Sequence, residues 1–250
     1  MLLEIKGLGK TYGTGPTATH AVGNVSFTVD EGEFVCVVGP SGCGKTTLLK
    51  CVAGLIAPTT GEVVLGDARV AGPPPGMAVV FQEYGRSLFP WLTVWRNVAL
   101  PLEHHGASRG ELRRLIDDAL AEVGLADVHA AYPWQLSGGM QQRVAIARAL
   151  AYNPAVLLMD EPFAALDALT REEMQRFLVD VWKETKKTVV YVTHNVAEAV
   201  YLADRVIVFS PHPGTVKVQV KVTLPRPRDT LSVEFLEYQK QIVTHIVERK

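Results

Sequence analysis

Residues 39–47 read Gly-Pro-Ser-Gly-Cys-Gly-Lys-Thr-Thr, set between an apolar run, residues 34–38, and a helix-forming run, residues 48–53. Strand, glycine-rich loop and helix in that order are what a phosphate-binding P-loop requires. Gly39, Gly42 and Gly44 let the backbone take positive φ and turn its N–H groups toward anionic oxygens, and the new helix points its positive end at the same spot. Pro40, Ser41 and Cys43 complete the loop, Lys45 adds a full positive charge, Thr46 offers a hydroxyl to a magnesium ion, and Thr47 ends the stretch. Farther on, Asp160 and Glu161 follow the apolar run 155–159. Such a run fits a central parallel strand, which delivers both carboxylates to its C-terminal edge, where ligands bind in open α/β sheets. Asp160 suits magnesium, directly or through water, and Glu161 suits acceptance of a proton from an attacking water, worth about 10²–10⁴ in rate.

Three further positions carry chemistry. Gln82 ends the apolar run 77–81, so its amide oxygen reaches the same kind of edge and can ligate magnesium or orient water. Ser137, Gly138 and Gly139 open a long helical pattern, with Ser137 as its cap and glycines exposing a second set of backbone donors for an anion. Tyr12 follows Lys10 and Thr11, and its ring can stack on a purine for about 1 kcal/mol or more, ordinary surface packing being the alternative.

Positioning these groups takes an α/β framework. Residues 2–6 and 26–29 alternate apolar and polar side chains as half-buried strands do, which predicts an antiparallel N-terminal sheet. Residues 62–65 predict another strand, 77–81 a fully buried parallel strand, and 188–193 a β-branched strand that ends at His194. Residues 83–150 read as mainly helical. In them 94–100 and 108–123 form helices, the second with a Ser108–Glu111 capping box, a face of Leu112, Leu115, Ile116, Ala119, Leu120 and Val123, and Gly124 as its stop. Residues 88–92 gather bulky apolar groups beside a proline in a surface loop, either a partner's docking site or part of the domain's own core. His104 and His105, adjacent and unable to share a helix face, read as solvent-exposed rather than metal-binding. After residue 209 come a turn, a strand-like alternation over 216–224, an extended segment at 225–229, and a final helix capped by Ser232 with Phe235, Tyr238, Ile242 and Ile246 on one face.

Bulk properties narrow the class. The chain has 250 residues and a formal net charge of -1, which argues against a sequence-wide nucleic-acid-binding surface. No apolar run approaches the ~18 residues that cross a bilayer, and residues 1–6 lack a signal peptide's pattern, so the expected location is the cytoplasm. Cys36, Cys43 and Cys51, an odd number in or beside the loop, read as small packing residues in a reducing compartment.

With two anion sites in one chain, the motifs resemble those of ABC transporter ATPase subunits, whose signature is Leu-Ser-Gly-Gly-Gln and which pair head to tail so that each signature closes over the other copy's nucleotide. The resemblance runs from Leu2 to about Phe209, with the motifs in the family's order. It implies ATP and Mg2+ as cofactors. Residue by residue, it implies Tyr12 as the adenine-stacking aromatic, 39–47 as Walker A, Gln82 as the Q-loop residue, Ser137, Gly138 and Gly139 as the signature, Asp160 and Glu161 as the end of Walker B, Asp167 in the D-loop and His194 as the switch histidine. Lys45, Glu161 and His194 would then be catalytic, the last touching the γ-phosphate and orienting water, and Thr46, Gln82 and Asp160 would hold the metal. Two departures stand out: Met140 replaces the usual signature glutamine, and Ala164 replaces a common D-loop serine.

The expected fold is therefore a P-loop NTPase core with an N-terminal antiparallel β-subdomain and an inserted α-helical subdomain: core at 1–82 and 151–215, helical part at 83–150, strand and helix tail at 216–250. The residue 88–92 segment and the tail are similar to those of importer ATPases of the nitrate, sulfonate and taurine group. That likeness implies a homodimer beneath transmembrane permease subunits on the inner face of the membrane, served indirectly by a periplasmic or extracellular substrate-binding protein. Rival readings are a family ATPase of DNA repair or translation, whose long coiled-coil insertion or tandem units are missing here, and an ATP-sensing module, against which Glu161 and His194 count.

Overall fold

Alternating side chains set the first two strands in the computed structural model, which describes residues 1–103 and 108–247. His104 and His105 lie outside the described residues. Strands β1 (Leu3–Tyr12) and β2 (Thr19–Val29) pair antiparallel, with Leu3 opposite Val29 and Ile5 opposite Phe27. These four side chains, with Leu8 and Val25, are buried. Both strands run farther than the alternation predicts, because register shifts after Ile5 break the period of two while the ladder continues. Next come β3 (Phe34–Val38), buried at every residue, and α1 (Lys45–Val52), which starts before its apolar run so that Thr46 and Thr47 lie in the first turn. Strands β4 (Thr60–Leu65) and β5 (Ala68–Arg69) complete an antiparallel sheet of order β2-β1-β4-β5.

The chain then builds a second compact unit, Gly76–Lys187, from β6 (Met77–Val80), α2 (Tyr84–Ser87), α3 (Val94–Ala99), α4 (Arg109–Glu122), α5 (Gly138–Ala151), β7 (Val156–Asp160) and α6 (Ala168–Thr185). It returns to the first unit, Met1–Pro75 with Thr188–Lys250, as β8 (Thr188–Thr193), α7 (Val196–Leu202), β9 (Arg205–Phe209), β10 (Val216–Lys221) and α8 (Val233–Val247). In the first unit β3 lies between β8 and β9, parallel to both, and β10 pairs antiparallel with β9. In the second, β6 and β7 are parallel neighbours. The fold class is the expected one: α/β, with P-loop strands, an antiparallel N-terminal sheet and a helical segment between the P-loop and the carboxylate strand.

Local signals explain most boundaries of the helical segment. Ser108 accepts from the Glu111 N–H while the Glu111 carboxylate accepts from the Ser108 N–H, the reciprocal capping box that starts α4. At its other end Gly124 takes φ +68°, and the Leu125 and Gly124 N–H groups close onto the Leu120 and Ala121 carbonyls. Ile116, Ala119, Leu120 and Val123 are buried as expected, but Leu115 is 41% exposed because it stands at the edge of the stripe. Strand β6 stops at Val80, one residue short of its apolar run, and Phe81 is 39% exposed. Its middle residues are only half-buried, so the strand is not the fully buried one expected.

The three cysteines are free and buried. Burial pushes the Cys36 thiol well up and the Cys51 thiol to about 11, so both remain protonated packing groups. No helix among the described residues is long and apolar enough to cross a membrane.

The tail belongs to the first unit. Strand β10 ends at Lys221, short of residue 224, and Arg228 then pins the extended segment by donating to the Val200, Ala203 and Leu224 carbonyls. Burial pulls this guanidinium down to about 10, still charged at neutral pH. Ser232 Oγ accepts from the Phe235 N–H and caps α8, which packs on α7, β9 and β10 through the buried Phe235 and Ile242, with Tyr238 and Ile246 half-buried. Phe235→Ala is expected to lower unfolding free energy by about 3–5 kcal/mol. Leu236→Ala, on the exposed face, should stay within about 0.5 kcal/mol in the same denaturant titration.

Candidate functional site

In the first unit, parallel pairing sets Val38 of β3 opposite Thr193 of β8, so Gly39 and His194 leave neighbouring strands at the same edge. The loop from Gly39 needs glycine for two separate reasons. Gly42 and Gly44 take φ +76° and +98°, and a Cβ on Gly44 would stand 2.2 Å from the Ala21 carbonyl oxygen. Lys45 is only 6% exposed, and its Nζ donates to the carbonyls of Gly39 at 2.9 Å and Pro40 at 3.1 Å. These two dipoles hold the buried cation inside the loop. Ser41 and Thr46 are exposed, Thr47 is half-buried, and the buried Cys43 places Sγ where a Gly39 Cβ would come within 3.0 Å. A tight glycine-bearing turn around one ammonium, with exposed hydroxyls, fits a polyphosphate and its magnesium.

Tyr12 ends β1 with its hydroxyl 3.5 Å from Thr47 Oγ1, which brings the aromatic to the loop's helix. Lys10 Nζ lies 5.3 Å from the Tyr12 ring centroid, a cation–π contact, and donates to the Ala57 carbonyl. The turn carrying His194 is fixed from beneath: Thr193 Oγ1 donates to Glu198 and accepts the Asn195 N–H, and Asn195 caps α7. His194 itself is exposed.

In the second unit the same register logic recurs. Val80 of β6 lies opposite Met159 of β7, so Gln82 and Glu161 emerge beyond the same edge. Asp160 is the last, buried residue of β7, and Gln82 is exposed. Glu161 takes φ +43°, a left-handed conformation uncommon for a residue with a side chain. Its carbonyl accepts from the Ala164 N–H at 3.1 Å, and Arg171 donates to the carbonyls of Phe163 and Leu166. Asp167 caps α6, accepting from the Thr170 N–H and hydroxyl at 3.1 and 2.7 Å. The Thr170 hydroxyl, first, and its N–H hold the Asp167 carboxyl below its ordinary value. A depressed carboxyl stabilises the fold above its unfolded pKa, and this contribution is lost as pH falls through the lower folded value.

Ser137 Oγ accepts from the Met140 N–H at 3.3 Å and caps α5, leaving its own hydroxyl proton to donate to an anion. Gly138 is half-buried; Gly139 is buried, and a Cβ there would meet Thr170 Cγ2 at 3.0 Å. The turn at Ser137 and the first turn of α6, which carries Asp167, therefore pack together. Among the described residues no group of three or more His, Cys, Asp and Glu side chains forms a metal cluster.

The apolar segment at 88–92 divides. Leu88 is buried, whereas Phe89 and Trp91 meet edge to face at 5.3 Å with Trp91 69% exposed. The buried Asn97 holds this loop by accepting from the Phe89 N–H and donating to the Phe89 and Leu92 carbonyls. Sequence reasoning singled out neither Asn97, Lys10, Thr170 nor Arg171. The signal for Thr170 was present, since it stands three residues after a helix-capping Asp167; the other three act on carbonyls or rings that sequence spacing does not reveal.

A family model described as ABC transporter matches residues 22–164. The chain is 51% identical over 241 residues to an uncharacterized ABC transporter ATP-binding protein of Methanocaldococcus jannaschii, covering 96% of this chain and 90% of that one. It is 46% identical over 230 residues to a nitrate import ATP-binding protein of Synechocystis, covering 92% and 86%. Among solved structures it is similar to a dimeric ATP-binding cassette in a post-hydrolysis state bound to ADP and Pi, at 37% identity and TM-score 0.76, covering 90% of this chain and 100% of that chain.

Gly44→Ala adds a methyl group where both φ and the Ala21 carbonyl forbid one. Nucleotide affinity, read by fluorescence titration, is expected to fall by at least about tenfold, since even 1.4 kcal/mol of loop distortion is worth that factor.

Proposed function

Because the chain belongs to the ABC transporter family and is an ATP-binding, ATP-hydrolysing subunit of that kind, we propose that it powers a binding-protein-dependent importer for nitrate, a sulfonate, taurine or a similar small solute. The likeness to the Synechocystis nitrate import protein supports the solute class, and the likeness of residues 88–92 and the tail supports import. The functional parts are the core at 1–82 and 151–215, the helical part at 83–150 and the tail at 216–250. The observation that carries the reading is Glu161, held in a left-handed turn directly after the buried Asp160 at the end of a parallel strand.

Lys45 and backbone N–H groups of residues 41–47 bind the phosphates of ATP, Gly39 and Pro40 shape the loop, and Tyr12 stacks on the adenine. Thr46, Gln82 and Asp160 are the oxygen donors for Mg2+, which when bound neutralises charge on the phosphate oxygens. Glu161 accepts a proton from the attacking water, and His194 orients that water beside the terminal phosphate. Ser137, Gly138, Gly139 and Asp167 serve the nucleotide of a second copy arranged head to tail. ATP then favours the closed homodimer because only that state contacts it from both copies; this differential affinity is what shifts the population. The dimeric state of the similar solved cassette supports pairing. Gln82 and the exposed Phe89 and Trp91 face the permease subunits, which keep this chain at the inner face of the membrane; the substrate-binding protein acts through them. Met140, half-buried in the first turn of α5, alters packing rather than phosphate contact, and Ala164 gives up a hydroxyl across the dimer. A net charge of -1 gives no support to a nucleic-acid partner.

Glu161→Gln is expected to keep ATP binding and lose about 10²–10⁴ in turnover, measured as phosphate release with magnesium; wild-type release in this variant refutes the base assignment. Trp91→Ala is expected to weaken co-purification with the membrane subunit by about 2 kcal/mol, the loss usual for an aromatic anchor.

A further inference from the structure

We propose that Arg171 is a positioning residue for hydrolysis, one that sets the direction of the Glu161 carboxylate through the turn between β7 and α6. The inference rests on the reading of Glu161 as the base. Within residues 162–166 the backbone closes only partly on itself: the Ala164 N–H bonds the Glu161 carbonyl and the Leu166 N–H bonds the Phe163 carbonyl, at 3.1 and 3.2 Å. Arg171 completes the closure from the first turn of α6. Its Nε donates to the Phe163 carbonyl at 3.3 Å and its Nη2 to the Leu166 carbonyl at 2.7 Å, while its own N–H bonds the Asp167 carbonyl at 2.9 Å. The planar fork reaches the two acceptors from two separate nitrogens held in fixed geometry, whereas a lysine would have to reach both from a single nitrogen on a flexible stem.

The placement runs against helix electrostatics. The first turn of a helix is its positive end, where a cation is disfavoured, so the carbonyl contacts and not the dipole account for an arginine here. What the contacts hold is strained: Glu161 at φ +43° relaxes to an ordinary backbone conformation if the following turn loosens, and relaxation swings its Cα–Cβ bond away. The same helical turn touches the signature, because Thr170 both hydrogen-bonds Asp167 and packs its methyl against Gly139. Arg171 thus joins the carboxylate to the block that faces the second copy, and its loss should weaken the chemical step rather than ATP affinity.

The full-length protein is assayed for phosphate release as Arg171→Gln, Arg171→Lys, Glu161→Gln and the Arg171→Gln, Glu161→Gln double variant. Arg171→Gln is expected to lower kcat about tenfold to a hundredfold with KM for ATP kept within about twofold, since misplacing a catalytic group costs up to that much. Lysine restores part of the loss, and the double variant falls no further than Glu161→Gln alone, because the direction of an absent base does not matter. Should Arg171→Gln fail to fold, the kcat-against-KM split in Arg171→Lys carries the same test. Wild-type kcat in the Arg171 variants beside a dead Glu161→Gln overturns this inference alone. Wild-type turnover in Glu161→Gln overturns the base assignment and this inference with it.

Discussion

Parallel strand register is the constraint from which the chemistry of both units follows. Val38 stands opposite Thr193, where β3 and β8 end level, and Val80 stands opposite Met159, one residue before β7 ends, so in each unit two neighbouring strands release the residues that follow at one edge. A single-residue slip would turn those side chains to the other face. β3, β7 and β8 are buried throughout, so a shift would force close-packed side chains to repack on both faces of each strand.

On that scaffold, short turns carry backbone that is costly by itself. Gly44 can adopt φ +98° without a side-chain clash, but Glu161 bears a side chain at φ +43°, at a cost of about 1–3 kcal/mol. Surrounding hydrogen bonds keep such a residue in place: the Ala164 and Arg171 contacts around Glu161 do for a carboxylate what the missing Cβ does for the phosphate loop. Other non-glycine residues at positive φ lie elsewhere, Asn24 within β2 and Asn153 and Lys186 just past the ends of α5 and α6, and the helix interiors have none among the described residues.

Buried charge follows a related rule. Lys45 and Arg228 are both nearly inaccessible, and each is surrounded by backbone carbonyls rather than by a carboxylate partner. Carbonyl dipoles satisfy a cation's donors without cancelling its charge. For Lys45 this leaves the positive charge available to an incoming phosphate; for Arg228 it fastens the segment leading to α8.

The amino-acid order alone determined where the P-loop, the two carboxylates, the Ser108–Glu111 capping box and the helix stop at Gly124 fall, because glycine spacing, capping side chains and apolar runs act over a few residues. It did not determine how far β1 and β2 extend past their register shifts, that Phe81 and Leu115 face outward, or that Asn97 and Arg171 hold the loops at Phe89 and Glu161. Those outcomes depend on which carbonyls and surfaces the folded chain leaves facing a given side chain. No sequence period encodes that direction; tertiary packing decides it.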